Sequence, residues 1–401
     1  VMSGVMLKMG IYGMLRVLLY VSQDLLQIGI IILIVSLITG LLGVMMALVQ
    51  RDMKRLLAYS SIENIGIIGI GIGLGVIGLA TGNNTLSVLG FSGGLLHVLN
   101  HSLFKSLLFF STGSVYTSTH TRDLEKMGGL MRRMPYSSVL FLVGSLAICG
   151  LPPFNGFISE YIIYLGMFRD LLASGMHQSI LVLVSIVGLS LIGGLAVFVF
   201  TRAFGIAFLG EPRSHHSASA IEVEKVMIFP QFVSVALIIL IGVASPWFVR
   251  PVFEIVSSGF GIEGMPEVAD STIPGLSRIS LISGVFIILV LALSLFRQFH
   301  LRSVKVSRGP TWGCGYTAPN ATLQYTSTSY AEYISGIAQP VLHITRETPA
   351  IEETNLFPVS ATFEATPHDV IQEKWIDKPT GIVAEWLKKM ARMQTGRIEH
   401  Y

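Results

Sequence analysis

Charge is what this chain has least of. Only 13% of its 401 residues are Asp, Glu, Lys or Arg, whereas 52% are hydrophobic; a soluble domain carries about a quarter charged residues. With a mean hydropathy of +0.68, the sequence cannot clothe a globule in polar surface, and a multi-span membrane protein is the expectation. A formal net charge of +3 is too small to mark a nucleic-acid binder. Cysteine is nearly absent too. Cys149 and Cys314 lie far apart with no CxxC anywhere, which excludes an iron–sulfur or thiolate-metal site built by this chain alone. Cys149 sits in an apolar stretch and is a poor candidate for a disulfide. The N-terminus shows no charged region or cleavage pattern of a signal peptide. Val1 stands inside an apolar run, as expected of a fragment's edge.

What is abundant is long hydrophobic runs. Crossing a hydrocarbon core of roughly 30 Å takes about 20 apolar residues. Such runs occupy residues 1–20, 26–49, 57–80, 86–116, 138–166, 179–209, 227–249 and 279–299. They are continuous rather than alternating, which argues against a transmembrane β-barrel. The expected class is an all-α polytopic membrane protein with about eight transmembrane helices. Basic residues cluster after the second, fourth and sixth runs (Arg51, Lys54 and Arg55; Arg122, Lys126, Arg132 and Arg133; Arg213 and Lys225) and after the eighth (Arg297, Arg302, Lys305 and Arg308). The opposite connections hold little beyond Arg16, Arg169, Arg250 and Arg278. The positive-inside rule then puts the tail on the cytoplasmic side.

Residues 308–401 are richer in Pro, Thr, Glu and aromatics, and no further spanning run appears. They read as an extramembrane tail. Near its end IVAEWLKKMARM puts Ile382, Val383, Trp386, Leu387 and Met390 on one helical face, with Glu385, Lys388, Lys389 and Arg392 on the other. That pattern suits an interfacial helix on the membrane or one packed on a partner subunit. The glycine-rich GIIGIGIGLGVIG (66–78) lacks the strand, spacing and downstream acid of a dinucleotide site, and reads as close helix packing through small residues.

Against this oily background the ionisable residues at depth stand out, since each costs about 2.5–3.5 kcal/mol at a helix centre. In HVLNHSLFKSLLFF, His97, His101 and Lys105 are spaced by four and fall on one stripe rising roughly 12 Å. Imidazoles titrate near neutrality, and a Lys in low dielectric becomes a switchable proton holder, so the stripe suits a proton relay. The His pair could hold a metal, but no third ligand has suitable spacing. The groups could also be hydrogen-bonding glue between helices. Lys8 falls inside the first run, where the alternative is a side chain snorkelling to the interface. In CGLPPFNGFISEYIIY (149–164), Pro152 and Pro153 predict a broken helix, tolerated only where protein or water satisfies the freed carbonyls. Glu160 follows the break, with a structural interfacial acid as the alternative. Glu63, close to the basic RDMKR, is explained nearly as well by an interfacial ion pair.

In order along the chain, LKMGIYGMLR, RDMKRLLAYSSIENIG, HVLNHSLFKSLLFFSTGSV, TRDLEKMGGLMRRMP and GLPPFNGFISE resemble the antiporter-like, proton-conducting membrane subunits of respiratory complex I, Mrp antiporters and membrane-bound hydrogenases. The resemblance covers about residues 1–250. SGVMLK, SIENIG and TWGCGYTAPNATLQYTSTSYAE look most like the hydrogenase-4 and formate hydrogenlyase branch. The resemblance implies that Lys8 matches the axis Lys linking two half-channels. His97, His101 and Lys105 match the helix continuing that axis, and Glu160 the ionisable group of the second broken helix, where the proton leaves or enters. It also implies an inverted repeat of which this chain holds only the second unit, without the first unit's acid and Lys, so that both ends look truncated.

The expected organisation is therefore residues 1–250 as the second half of a translocation domain, 251–307 as a further transmembrane helix and linker, and 308–401 as a cytoplasmic tail. The expected function is a proton-translocating subunit of a hydrogenase-4/formate hydrogenlyase-type respiratory complex in a bacterial or archaeal cytoplasmic membrane. Lys8, His97, His101, Lys105 and Glu160 would carry the path, and Glu63 would be a lesser member. No active site and no cofactor are expected in the chain itself. Its partners would be other membrane subunits, lipid, and protons, with Na⁺ as the alternative ion. Two other readings stand beside it: an Mrp-type cation/proton antiporter subunit, and a non-conducting scaffold.

Overall fold

The computed structural model describes residues 2–172, 175–304, 315–316, 318, 320–347, 364–370 and 372–391. Cys314, Lys305, Arg308 and Arg392, which the sequence reading invokes, lie outside them. Residues 1–330 form one compact unit and 331–401 a second.

The first unit is a helical bundle. A π-helical turn (Met2–Met6) leads into α1 (Leu7–Leu18), followed by α2 (Leu25–Val49), α3 (Met53–Thr81) and α4 (Asn84–Thr119). Next come α5 (Pro135–Ile148), α6 (Asn155–Leu171), α7 (Met176–Phe208), the short α8 (His215–Ala218), α9 (Lys225–Val243), α10 (Ser245–Phe260) and α11 (Met265–Arg302). Five of these helices are long and apolar enough to cross a membrane: α2, α3, α7, α9 and α11. The protein is an all-α integral membrane protein.

Local chemistry sets the helix ends. The Asp52 side chain accepts from the Lys54 and Arg55 amides (2.8 and 3.0 Å) to start α3, and Asn83 accepts from the Leu86 amide (3.0 Å) to start α4, each satisfying donors that a helix start leaves open. α3 is the central helix: 78% of its apolar window is buried, against 11% for α11 at the periphery. Its glycines permit this. A Cβ at Gly66 would lie 2.6 Å from the Gly40 Cα of α2, and one at Gly71 would lie 2.8 Å from the Gly94 amide of α4. The glycine run therefore serves close packing on two sides.

Two spans depart from their expected bounds. The run 227–249 is cut at Ala244, because Pro246 suits the first turn of a new helix rather than the interior of an old one; α10 then buries Val249, Phe253 and Val256 on one face and stacks Phe260 on Phe91 (4.1 Å). The run 279–299 is only the later part of α11. The run 138–166 is divided, as expected, into α5 and α6 around the two prolines.

The loops after α2, α4 and α7 meet at one end of the bundle. The Met53 amide donates to Arg122 O (2.9 Å), Leu124 to Arg51 O (3.0 Å) and Gly129 to Leu209 O (2.9 Å), and Arg122 pairs with Asp52 at 3.2 Å. Arg213 donates to Met127 O (2.6 Å) and Ile206 O (2.9 Å); burial holds its guanidinium below the usual range, with Glu125 opposing. Residues 320–330 join this end. The Gln324 side-chain oxygen accepts from the Glu211 amide (2.8 Å), and Glu125 caps α12 (Ser327–Ile337) by accepting from the Ser327 and Thr328 amides (3.2 and 2.7 Å).

In the second unit, α13 (Gln339–Leu342) leads to β1 (Ile344–Glu347), which pairs antiparallel with β2 (Glu364–Pro367) in the only sheet among the described residues. Arg346 pairs with Glu332 at 2.9 Å. A π-helical turn (Gln372–Asp377) runs into α14 (Lys378–Ala391), on which Ile382, Val383, Trp386, Leu387 and Met390 are all exposed.

Candidate functional site

At 36 residues and about 1.5 Å per residue, α4 is the longest element packed through the centre of the bundle. His97, His101 and Lys105 lie in its middle third, all fully buried, as the four-residue spacing predicts. α3 covers the stripe on one side and α6 on the other. Lys105 Nζ donates to Leu57 O (2.8 Å) and to Ser60 Oγ. His97 is held at both ring nitrogens, Nε2 by Asn64 Oδ1 (3.1 Å) and Nδ1 by Ser159 Oγ (2.9 Å). Among the described residues His101 has no hydrogen-bond partner at either nitrogen; the Phe104 ring meets it edge-on at 5.5 Å.

Of the remaining expected residues, Lys8 and Glu63 lie within electrostatic reach of this stripe and Glu160 within reach of Glu63. Lys8 donates to Ser3 O and interacts electrostatically with His97, His101 and Lys105. Its segment is anchored by Ser3 against Ser61 of α3 (2.6 Å). Glu63 is fully buried, with both carboxylate oxygens unpartnered among the described residues, and it lies within Coulombic reach of Lys105 and Glu160. The interfacial ion pair with RDMKR is not formed: in that loop Asp52 takes Arg122 instead. The structure thus joins Glu63 to the row more firmly than the sequence suggests.

Glu160 follows the break. α5 ends at Ile148 and α6 starts at Asn155, with Pro152–Pro153 in the cis form between them. The Gly150 amide reaches Ala147 O and the Leu151 amide Leu146 O, both at 3.3 Å, so the last turn of α5 closes on its own carbonyls. Gly150 has a φ of +61°, and a Cβ there would lie 2.6 Å from the Glu160 Oε2; glycine lets the acid lie back across the break. Cys149 beside it is a free thiol. Among the described residues no group of three or more His, Cys, Asp or Glu side chains could hold a metal ion.

Sequence reasoning missed the neutral partners. Asn64, Asn100, Asn155 and Ser159 are fully buried and tie α3, α4 and α6 together around His97. Asn100 Nδ2 donates to Asn155 O (2.8 Å) and to Ser159 Oγ (2.9 Å), and Asn155 Nδ2 donates to Asn100 Oδ1 (3.1 Å). A helical offset held the signal, since Asn64 lies four residues after Ser60. Arg202 of α7, 1% exposed, was also missed; it donates to Ala47 O (3.2 Å) and Gln50 O (2.8 Å) at the end of α2.

A broken helix carrying an acid beside a long helix with a buried His–His–Lys stripe is a distinctive arrangement. Residues 1–193 match the family model described as NADH:quinone oxidoreductase/Mrp antiporter, TM. The matched residues, just under half of the chain, are similar to this antiporter-like membrane family. Hydrogenase-4 component B of Escherichia coli (strain K12) is 37% identical over 331 residues, covering 80% of this chain and 49% of that protein. Formate hydrogenlyase subunit 3 of the same organism is 34% identical over 348 residues, covering 85% and 55%. The chain thus spans about half the length of these relatives. The antiporter-like fold recurs in the solved structure of the membrane-bound sulfane sulfur reductase, an archaeal respiratory membrane complex, with a TM-score of 0.65 at 20% identity, covering all of this chain and 60% of that one.

Proposed function

We propose that this chain forms part of a proton-translocating membrane subunit of a hydrogenase-4/formate hydrogenlyase-type respiratory complex. It would couple redox chemistry in other subunits to ion movement through Lys8, Glu63, His97, His101, Lys105 and Glu160. The observation that carries this reading is the row itself: Glu63, His97, His101 and Lys105 are fully buried and the half-buried Lys8 and Glu160 flank them, ionisable groups costly to hold inside a membrane that run from α3 through the middle of α4 to the start of α6 after the break. A charge change at one member alters the proton affinity of the next, as coupled titration requires. Residues 1–250 then act as a translocation unit, 251–307 as an added span with its linker, and 308–401 as a tail. The meeting of the basic loops at one end of the bundle supports a cytoplasmic location for that end and for the tail. Neighbouring membrane subunits complete the assembly.

The test is proton uptake by the intact complex in proteoliposomes, with Glu160→Gln and His101→Ala. Both are expected to lose most of their pumping; unchanged pumping in both overturns the reading. Sodium-dependent uptake instead would point to Mrp-type exchange.

A further inference from the structure

The hydrogen bonds around His97 fix more than its position. Asn64 Nδ2 donates to Ser60 O at 2.8 Å, so Asn64 presents its oxygen to His97 and Nε2 must carry a proton. Nδ1 is then the only ring position that can gain or lose one. It faces Ser159 Oγ at 2.9 Å. That hydroxyl already accepts from Asn100 Nδ2 (2.9 Å) and lies 3.0 Å from Gly156 O, in the first turn after the break. Asn100 cannot be turned over, because its Nδ2 also donates to Asn155 O while its Oδ1 accepts from Asn155 Nδ2. Ser159 therefore has one proton and two places to put it.

Both placements leave His97 Nδ1 and the Ser159 hydroxyl hydrogen-bonded. With a neutral ring, Ser159 donates to Nδ1. With a charged ring, Nδ1–H donates to Ser159 Oγ, which accepts from Asn100 as well and turns its own proton to Gly156 O. We propose that Ser159 is a two-position proton switch for His97, making the ring charge only on the side facing α6. Asn64 is the positioning residue that closes the α3 side. This deepens the translocation reading and rests on it. On charging, the Ser159 O–H bond breaks as the Nδ1–H bond forms, while a hydronium ion on the α6 side gives one proton to Ser159 Oγ and leaves as water. The new O–H points to Gly156 O. Discharge is the reverse, and no electrons move. Lys8 and His101, both electrostatically coupled to His97, would set when it occurs. Glu160, the residue after Ser159, is carried by the same turn of helix.

Two measurements on the assembled complex test this. With histidine ring nitrogens labelled by ¹⁵N, the His97 resonance, assigned by its loss in His97→Gln, is expected to report the Nε2–H tautomer. Asn64→Ala is expected to spread it over both tautomers. In proteoliposomes, Ser159→Ala is expected to cut proton uptake per electron by about tenfold or more, and Ser159→Thr, which keeps the hydroxyl, to restore most of it. A neutral His97 protonated on Nδ1 overturns the switch. So does wild-type pumping by Ser159→Ala in preparations where Glu160→Gln fails to pump. If Glu160→Gln and His101→Ala both pump normally, the translocation reading falls instead, and the tautomer signal still decides how His97 is held.

Discussion

Among the described residues, Glu63 and His101 are the fully buried members of the row whose polar atoms find no hydrogen-bond partner, whereas His97 is bonded at both ring nitrogens and Lys105 donates to two oxygens. A buried polar group without a partner costs about 1–3 kcal/mol, so these two are the row's least settled groups and the ones freest to change state. Glu63→Gln keeps the shape and breaks no hydrogen bond in the structure, so the complex is expected to assemble normally. Its charge coupling to Lys105 and Glu160 is removed, and proton uptake per electron is expected to fall by about tenfold or more. Intact assembly with wild-type uptake would exclude Glu63 from the path. The ionisable residues were legible in the sequence because Lys, His and Glu are conspicuous in oil and a spacing of four fixes a common face. The depth of Glu63 was less so. RDMKR looks adjacent, yet α3 starts at Met53, and ten residues of helix carry Glu63 about 15 Å inward. Asn64 and Ser159 were illegible as a pair, because asparagine and serine are unremarkable singly and lie 95 positions apart in a chain that only folding brings together.

At the scale of the helices, hydropathy located the spans and the paired prolines located the break. Windowed apolarity failed where apolar sequence continues through a change of direction, as at Ala244, and it passed over the one-sided pattern of Val249, Phe253 and Val256 in α10. The glycine run was legible as packing, and the structure assigns each glycine a neighbour. Gly66 meets the Gly40 backbone of α2, which cannot swing away as a side chain can, while Gly194 of α7 has nothing within 4 Å of an added Cβ. Gly66→Ala is therefore expected to destabilise by about 1–3 kcal/mol through overpacking. Gly194→Ala is expected to be neutral or to stabilise by up to about 1 kcal/mol through helix propensity. Thermal unfolding of the two purified variants, followed by helical ellipticity, orders them; an equal response at both positions would contradict the backbone-to-backbone contact between α2 and α3.

For the whole molecule, the basic loops carry orientation, and the fold shows why they act together. The connections after α2, α4 and α7 are hydrogen-bonded into one cap, with residues 320–330 docked on it through Glu125, Arg213 and Gln324. Their positive charges therefore sit on one surface, where the rule for cytoplasmic loops applies to them jointly. Ser219, exposed in the connection after α8, belongs to this end, and Ser22, exposed between α1 and α2, to the other. In a background with Cys149 and Cys314 replaced by serine, Ser219→Cys is expected to react with a membrane-impermeant maleimide only in inside-out vesicles, and Ser22→Cys only in intact right-side-out cells or spheroplasts. Glu125→Ala removes the cap of α12, so in inside-out vesicles it is expected to speed proteolytic cleavage near residues 320–330 without altering either labelling pattern. Labelling of both cysteines from the same side would break the assignment of the two ends; reversed labelling would turn the protein over in the membrane, and the side from which Glu160 is reached would reverse with it.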